Sequence, residues 1–128
     1  MKALASSTVH MLQRHEFQET INEDVVFFEI VELTNSFYVW MGTETSLMKS
    51  LTAAFPVQSV PLHVTSTKLF GPNDVSEQLA ERLALKYRCP FFISIGLDAQ
   101  ATEAFHLIEK KLFELLDSIR ADNRVGKE

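Results

Sequence analysis

Two neighbouring stretches of the chain are apolar with almost no alternation. Asp24–Leu33 is rich in β-branched and aromatic side chains, and Phe37–Met41 has a similar composition after the turn-forming Thr34–Ser36. Continuous apolar runs of this length are typical of strands with apolar side chains on both faces. The pattern predicts a β-hairpin that needs cover on both sides.

Weaker patterns predict four further strands, at Thr8–Arg14, Leu47–Phe55, Val60–Phe70 and Phe91–Ile95. The polar stretch Glu16–Glu23 between the first strand and the hairpin indicates a loop. Composition alone would also allow a helix in the Leu47 segment, and Pro56 is expected to end it either way. Pro61 favours an edge position or a strand start for the segment that follows.

Two amphipathic stretches predict helices. The first begins at Asp74, where Glu77 three residues later gives capping-box spacing, and it stops before Pro90. Its apolar stripe consists of Val75, Leu79, Leu83 and Tyr87, with Ala80 and Ala84 beside them. The second helix runs from Ala101 to Arg120 and has the strongest helical period in the chain. Its stripe consists of Ala101, Ala104, Phe105, Ile108, Leu112, Leu115, Leu116 and Ile119.

These elements predict an α+β fold: an about six-stranded, mostly antiparallel sheet with two helices packed on one face. Helices about 10 Å wide, placed side by side, cover roughly four strands spaced about 4.8 Å apart. The other face stays available for a partner sheet, because exposed apolar patches of this kind usually mark a protein interface. We expect residues 1–128 to form a single domain, with frayed tails at 1–7 and 121–128.

The hairpin turn decides which side chains lie on the uncovered face. A two-residue turn at Asn35–Ser36 would place Leu33 opposite Tyr38 and Val31 opposite Trp40. The expected interface residues are then Glu29, Val31, Leu33, Tyr38 and Trp40. The opposite, core-facing set is Val26, Phe28, Ile30, Phe37, Val39 and Met41. A three-residue turn would exchange the faces, and Trp40 would then be a core residue.

Composition and charge restrict the classes of partner that the protein can have. The 128 residues carry a net charge of −5, and the basic residues are scattered, which argues against nucleic acid. No apolar run approaches the roughly 20 residues of a membrane span, so no membrane is expected. A single cysteine excludes a disulfide scaffold and a cysteine-based zinc site. The N-terminal residues do not resemble a signal peptide, which favours a cytoplasmic or nucleocytoplasmic protein.

No catalytic, cofactor-binding or metal-binding motif is present in the sequence. The four histidines lack the spacing of a metal site, and the four glycines stand too far apart for a phosphate loop. Cys89 follows a predicted helix end, where the dipole raises the pKa of a thiol, so we expect it to be inert. We therefore expect a binding or scaffold protein and not an enzyme.

Two motifs carry a family resemblance. Phe28–Gly42 resembles the central hairpin of the proteasome assembly chaperone 4 family, in which a Leu-Thr-Asp/Asn-Ser turn leads to an aromatic strand ending Trp-x-Gly. Ser76–Lys86 resembles the Leu-Ala-x-Arg-Leu-Ala helix of that family. The similarity covers most of residues 8–118 in order and spacing, and its motifs are structural.

The resemblance implies a non-catalytic chaperone that pairs with a proteasome assembly chaperone 3-like subunit. Such a pair assists formation of the 20S proteasome alpha ring and contacts the alpha-5 subunit. The uncovered sheet face leads us to expect a homodimer when the chain is isolated. An alternative is a small α/β adaptor of the roadblock or longin type, serving GTPases or trafficking, which a helix between the middle strands would favour.

Overall fold

A computed structural model describes residues 12–43, 48–57, 61–72 and 74–126. Within them the strands are β1 (Gln13–Ile21), β2 (Asp24–Glu32), β3 (Phe37–Gly42), β4 (Ser50–Val57), β5 (His63–Phe70) and β6 (Phe91–Gly96). The helices are α1 (Ser76–Tyr87), α2 (Ala99–Glu103) and α3 (Phe105–Gly126). The predicted tail at residues 1–7 and the predicted strand starts at Thr8, Leu47 and Val60 lie outside the described residues.

The six strands form one sheet in the order β1-β2-β3-β6-β4-β5. Strands β3 and β6 are parallel, and every other neighbouring pair is antiparallel. The predicted α+β fold with a mostly antiparallel sheet is confirmed. Strand β6 follows α1 in the chain but enters the sheet between β3 and β4, so the last strand lies near the centre.

Strand β1 corrects the sequence interpretation, which gave Glu16–Glu23 as a loop. Residues 13–21 pair with β2 along their whole length, from Gln13 opposite Glu32 to Ile21 opposite Asp24. Asn22 and Glu23 form the turn, with φ angles of 53° and 76°, as a two-residue hairpin turn of type I′ requires. The strand is polar because it lies at the sheet edge, where charged side chains discourage pairing with other chains.

The hairpin register also differs from the prediction. Val31 lies opposite Tyr38, and Glu29 lies opposite Trp40, because the turn is longer than two residues. The Leu33 N–H donates to the carbonyl of Ser36 at 2.9 Å and closes this wider turn. The slip is two residues, and side chains alternate with a period of two, so every strand residue keeps its predicted face.

Pro56 does not end β4, which continues to Val57. The pairing of β4 with β6 stops at Ala54 opposite Phe91, whereas its pairing with β5 continues to Val57 opposite His63. Pro56 thus has a strand on one side only, and its missing N–H removes no hydrogen bond from a second neighbour.

The start of α1 differs in detail from the predicted capping box. The N-cap position is Val75, whose apolar side chain makes no capping hydrogen bond. Asp74 still satisfies an N-terminal donor, because its Oδ1 accepts a hydrogen bond from the Ser76 N–H at 2.9 Å.

The last predicted helix is two helices, so the described chain has three helices instead of two. Asp98 caps α2 by accepting a hydrogen bond from the Ala101 N–H at 2.8 Å, and Ala104 interrupts the helical path before α3 begins. The predicted helix end at Arg120 was wrong, since α3 continues to Gly126. The frayed tail expected at residues 121–128 stays a prediction.

The helices cover one face of the sheet. The buried core joins side chains of α1, α2 and α3 to those of β2, β3, β4 and β6. All eight residues of the predicted second helical stripe are buried, as are Leu79, Ala80, Leu83 and Ala84 of the first. An ion pair of 3.7 Å between Lys111 and Glu19 ties α3 to the β1 edge.

Candidate protein interface on the open sheet face

We call the face opposite the helices the open face. Its members alternate with core residues along each strand and follow from the pairing registers. They are Arg14, Glu16, Gln18, Thr20, Val25, Phe27, Glu29, Val31, Tyr38, Trp40, Gly42, Phe92, Ser94, Gly96, Leu51, Ala53, Phe55, Val57, His63, Thr65, Thr67 and Phe70.

The structure places four of the five predicted interface residues together on this face. Glu29 and Trp40 are neighbours across β2 and β3, and Val31 and Tyr38 are the next pair along the strands. Leu33 is the exception, because it follows the end of β2 and lies in the hairpin turn, where it is 37% exposed. Its predicted pairing with Tyr38 was wrong.

The indole of Trp40 lies flat along its own strand, over the α-carbon of Gly42. A Cβ atom added at Gly42 would stand only 2.8 Å from Cη2 of the indole and closer still to Cζ2. Residues two apart on a strand share a face. In Trp-x-Gly the glycine has no side chain on that face, so the tryptophan ring can lie against the backbone. This packing leaves Trp40 half-buried before any partner covers it.

Tyr38, which is half-buried on the open face, is oriented by a hydrogen bond of its hydroxyl. Its phenol is hydrogen-bonded to Ser94, and the Ser94 Oγ also donates to the carbonyl of Ser50 at 3.0 Å. Burial raises the pKa of Tyr38, and the negative charge of Glu29 raises it further, against the opposing effect of Ser94. Tyr38 therefore presents a neutral, oriented ring.

On β6 and β4, at the centre of the open face, large aromatic side chains again lie next to small ones. The rings of Phe92 and Phe55 meet edge to face with centroids 5.9 Å apart. Small residues lie beneath their larger neighbours: Ala53 is 2% exposed and Ser94 is fully buried. Phe92 is half-buried like Tyr38 and Trp40, and these three rings form a platform with the 41% exposed Phe55 beside it. Aromatic surfaces of this kind are enriched at protein interfaces.

One corner of the open face is charged. Arg14 Nε lies 2.5 Å from Glu29 Oε2, and Arg14 Nη2 lies 2.7 Å from Glu16 Oε1. These three side chains border a cavity of about 310 Å³, whose lining also includes Phe27, Tyr38 and Trp40.

Sequence reasoning missed several members of this surface. Phe27 was identifiable, since it lies two positions before Glu29 and must share its face. Arg14 and Glu16 were missed because β1 looked like a loop, and Phe92 because no local signal places β6 beside β3.

A second hollow, of about 660 Å³, lies beside the hairpin turn and the end of α1. Its lining includes Cys89, whose pKa is raised by burial and lowered less by the nearby Arg120. The thiol is therefore less ionised than an exposed cysteine and is a poor nucleophile.

Under the helices lies a polar cluster centred on Asp74. The carboxylate accepts hydrogen bonds from Ser50 Oγ, Ser76 Oγ and Lys68 Nζ at 2.5, 2.5 and 2.9 Å. Thr52 and Ser76 join through their hydroxyls at 2.7 Å. These groups satisfy one another, and the cluster pins α1 to β4 and β5.

Neither a cluster of metal ligands nor a helix suited to spanning a membrane is found among the described residues. No group of three or more His, Cys, Asp or Glu side chains there is arranged to hold a metal ion. Among the helices described, none combines the length and the apolar character that crossing a bilayer requires.

Comparison with known proteins places the fold and its open face in context. The family model of proteasome assembly chaperone 4 matches residues 25–97, which include α1 and the strands β2–β6 except for the first residue of β2. Proteasome assembly chaperone 4 of Mus musculus is 30% identical over 106 residues, covering 81% of this chain and 85% of the mouse protein. The Homo sapiens protein of the same name is 30% identical over 108 residues, with the same two coverages of 81% and 85%.

A solved structure agrees at the level of the fold. The crystal structure of a chaperone complex for yeast 20S proteasome assembly contains a chain that matches with a TM-score of 0.70 and 13% identity. The match covers 84% of this chain and 97% of the yeast chain. This match shows the fold alone. The family model, which covers more than half of the chain, and the two mammalian relatives lead to one conclusion: this chain belongs to the proteasome assembly chaperone 4 family.

Proposed function

We propose that this protein is a non-catalytic chaperone that pairs with a chaperone-3-like subunit through its open face. In this proposal the pair assists formation of the 20S proteasome alpha ring and contacts ring subunits, alpha-5 among them. The single observation that carries the proposal is the half-buried aromatic platform of Tyr38, Trp40 and Phe92, which no helix of the described chain covers.

Two further observations support this reading. The matching yeast chain was crystallised within a chaperone complex for 20S proteasome assembly, which is the setting in which this fold has a protein partner. In the described residues no helix interrupts the run from β1 to β5, and such a helix is the feature that would have favoured a roadblock or longin adaptor.

The pairing is tested with Trp40→Ala and the full chaperone-3-like subunit of the same organism. Truncating an interface anchor costs about 2 kcal/mol or more of binding free energy, which is roughly thirtyfold in affinity. We expect that loss in titration calorimetry, while the isolated variant still unfolds cooperatively. Leu107→Ala removes a 40% exposed leucine from the outer side of α3 and is the matched control. Equal affinity of the Trp40 variant and the control would refute pairing through this face.

The role in the alpha ring needs its own measurement. Tagged wild-type protein, co-expressed with the chaperone-3-like subunit, should co-purify alpha-ring subunits, with alpha-5 among them by mass spectrometry. The same preparation carrying Trp40→Ala should recover less of both. Recovery of small GTPases in place of alpha subunits would favour the adaptor alternative.

The isolated chain is expected to self-associate at high micromolar concentration, because the platform then has no other cover. Sedimentation velocity should show a concentration-dependent shift that the chaperone-3-like subunit competes away. A monodisperse monomer that also ignores that subunit would contradict the proposal. The cytoplasmic and nuclear location stays a prediction from the sequence.

A further inference from the structure

The charged corner of the open face contains a charge imbalance. Glu16 and Glu29 lie directly opposite each other on β1 and β2, on the same face. Like charges in directly opposed strand positions repel each other. Arg14 contacts both carboxylates, so one guanidinium is shared between two negative groups. The trio keeps one net negative charge.

The net negative charge of this trio costs little free energy only while water solvates the side chains. The side chains of Arg14 and Glu16 are 62% and 63% exposed, but that of Glu29 is only 25% exposed. A partner sheet laid on the open face would remove the remaining water from this corner. Burying a carboxylate without a compensating positive group is strongly unfavourable. Arg14 is the only lysine or arginine among the open-face residues defined above, so the second positive charge has to come from outside the face.

The cavity beside these carboxylates has the walls that a planar cation prefers. It holds about 310 Å³, and its lining includes the open-face aromatic residues Phe27, Tyr38 and Trp40. Guanidinium groups stack on aromatic faces and donate to carboxylates through a rigid fork, whereas an ammonium is a compact, strongly hydrated charge. Burial raises the pKa of Tyr38 most, and the negative charge of Glu29 raises it further.

We propose that the partner subunit fills this pocket with an arginine side chain, which lies against the aromatic wall and pairs with Glu29 and Glu16. This inference rests on the proposed pairing through the open face and adds the chemistry of the contact. The pocket then selects partners by charge at one corner, while the platform at the centre of the face supplies apolar contact area.

The first test is a titration of the full chaperone-3-like subunit at several salt concentrations, between about 50 and 500 mM. Glu29→Gln keeps the shape of the side chain and removes its charge. We expect affinity to fall about thirtyfold and the salt dependence to flatten, because a buried charge pair has lost one member. Glu19→Gln is the control, since Glu19 pairs with Lys111 under α3 and should change neither quantity. Thermal unfolding of both variants verifies that they fold, and Glu16→Gln is the second test should Glu29→Gln not fold.

The second test identifies the occupant by a double-mutant cycle. Each arginine of the partner subunit is replaced in turn by Lys, alone and together with Glu29→Gln. One replacement should weaken wild-type binding but add little to the loss caused by Glu29→Gln. If every arginine replacement costs the same in the wild-type and Glu29→Gln backgrounds, no partner arginine couples to Glu29 and the proposal is overturned.

The outcomes separate this inference from the pairing on which it rests. If Trp40→Ala weakens binding but Glu29→Gln leaves affinity and salt dependence unchanged, the open face is the interface and the arginine pocket is wrong. Tighter binding by Glu29→Gln would also overturn the pocket, because it would mean an apolar or acidic occupant. If the subunit binds with unaltered affinity to both variants, the proposed pairing itself has failed.

Discussion

The two faces of this sheet are made by the same strands, but their apolar side chains are buried in different ways. Phe27 and Phe28 are adjacent in β2, yet Phe28 is 1% exposed beneath the helices and Phe27 is half-buried beside the charged corner. On the helix-covered face, large aliphatic and aromatic side chains interlock with α1 and α3. On the open face, flat rings lie over small residues, as Trp40 lies over Gly42.

The difference shows which part of the burial the chain achieves alone. Burial under the helices needs only this sequence, so it determines the stability of the isolated protein. The open face reaches half-burial by laying its rings along the sheet, which limits the exposed apolar area while keeping it available. Variants on the two faces should therefore separate folding from association.

The largest expected effect on stability is that of Phe28→Ala, compared with the same substitution at the neighbouring Phe27. Removing a fully buried phenylalanine costs about 3–5 kcal/mol in the free energy of unfolding. Phe27→Ala, one position away on the other face, should cost about 1 kcal/mol. Urea denaturation of the isolated chain measures both, and equal losses would mean that the faces do not differ in this way.

Leu112→Ala tests the helical side of the same core. Leu112 is fully buried in α3, so its truncation should lower the free energy of unfolding by about 2–5 kcal/mol. That is a large share of the roughly 5–15 kcal/mol typical of a domain. Leu107→Ala, on the exposed side of α3, should stay within about 0.5 kcal/mol of wild type. An unchanged midpoint for Leu112→Ala would show that α3 does not pack on the sheet.

Asp74→Asn tests the polar cluster under α1. Losing the charged acceptor of several hydrogen bonds should cost about 1–3 kcal/mol at neutral pH. Burial alone would raise the pKa of Asp74, but hydrogen bonds from Ser50, Ser76 and Lys68 outweigh it and hold the pKa below 3.8. Near pH 4 the unfolded chain thus binds the proton more readily than the folded chain.

The sign of the pH dependence follows from that difference. The contribution of Asp74 to stability is complete above the unfolded pKa of about 3.9 and is lost as the pH falls through the lower folded pKa. The gap between wild type and Asp74→Asn, measured by urea denaturation at pH 7 and near pH 3, should shrink in acid. A gap that is constant with pH would show that the ionised carboxylate is not the stabilising species.

The smallest expected effect is on the open face itself. Gly42→Ala should force the Trp40 indole away from the strand, at a cost of about 1 kcal/mol. Trp40 is the only tryptophan, so its fluorescence should shift to longer wavelength as the ring enters water. In a Trp40→Ala background the same Gly42 change should cost almost nothing. A similar cost in both backgrounds would place the conflict in the backbone instead of the ring.

Particular residues show how far sequence reasoning reaches. Glu29, Val31, Tyr38 and Trp40 were assigned to one face correctly although the hairpin register was wrong by two residues. The assignment survived because side chains alternate with a period of two, so an even slip leaves the faces unchanged. Leu33 was misplaced because the turn length, which depends on the Leu33–Ser36 hydrogen bond, has no clear local signal.

Other parts of the site depend on contacts between distant segments. The polar β1 is a strand because β2 provides its hydrogen-bonding partner, and without that partner its sequence resembles a loop. Arg14 and Glu16 join Glu29 only through this pairing. Likewise, Phe92 reaches Tyr38 only because β6 enters the sheet between β3 and β4.

The sequence by itself determined the alternation of faces in the hairpin, the apolar stripes of the helices and the shortage of helices to cover both sides of the sheet. Each of these three features is a local periodicity or a count, and none of them depends on which segments of the chain pair with each other. The tertiary structure alone decided the strand order, the turn length and the meeting of one arginine with two glutamates. Those depend on long-range pairing, whose free energy is summed over segments that the local pattern treats as independent.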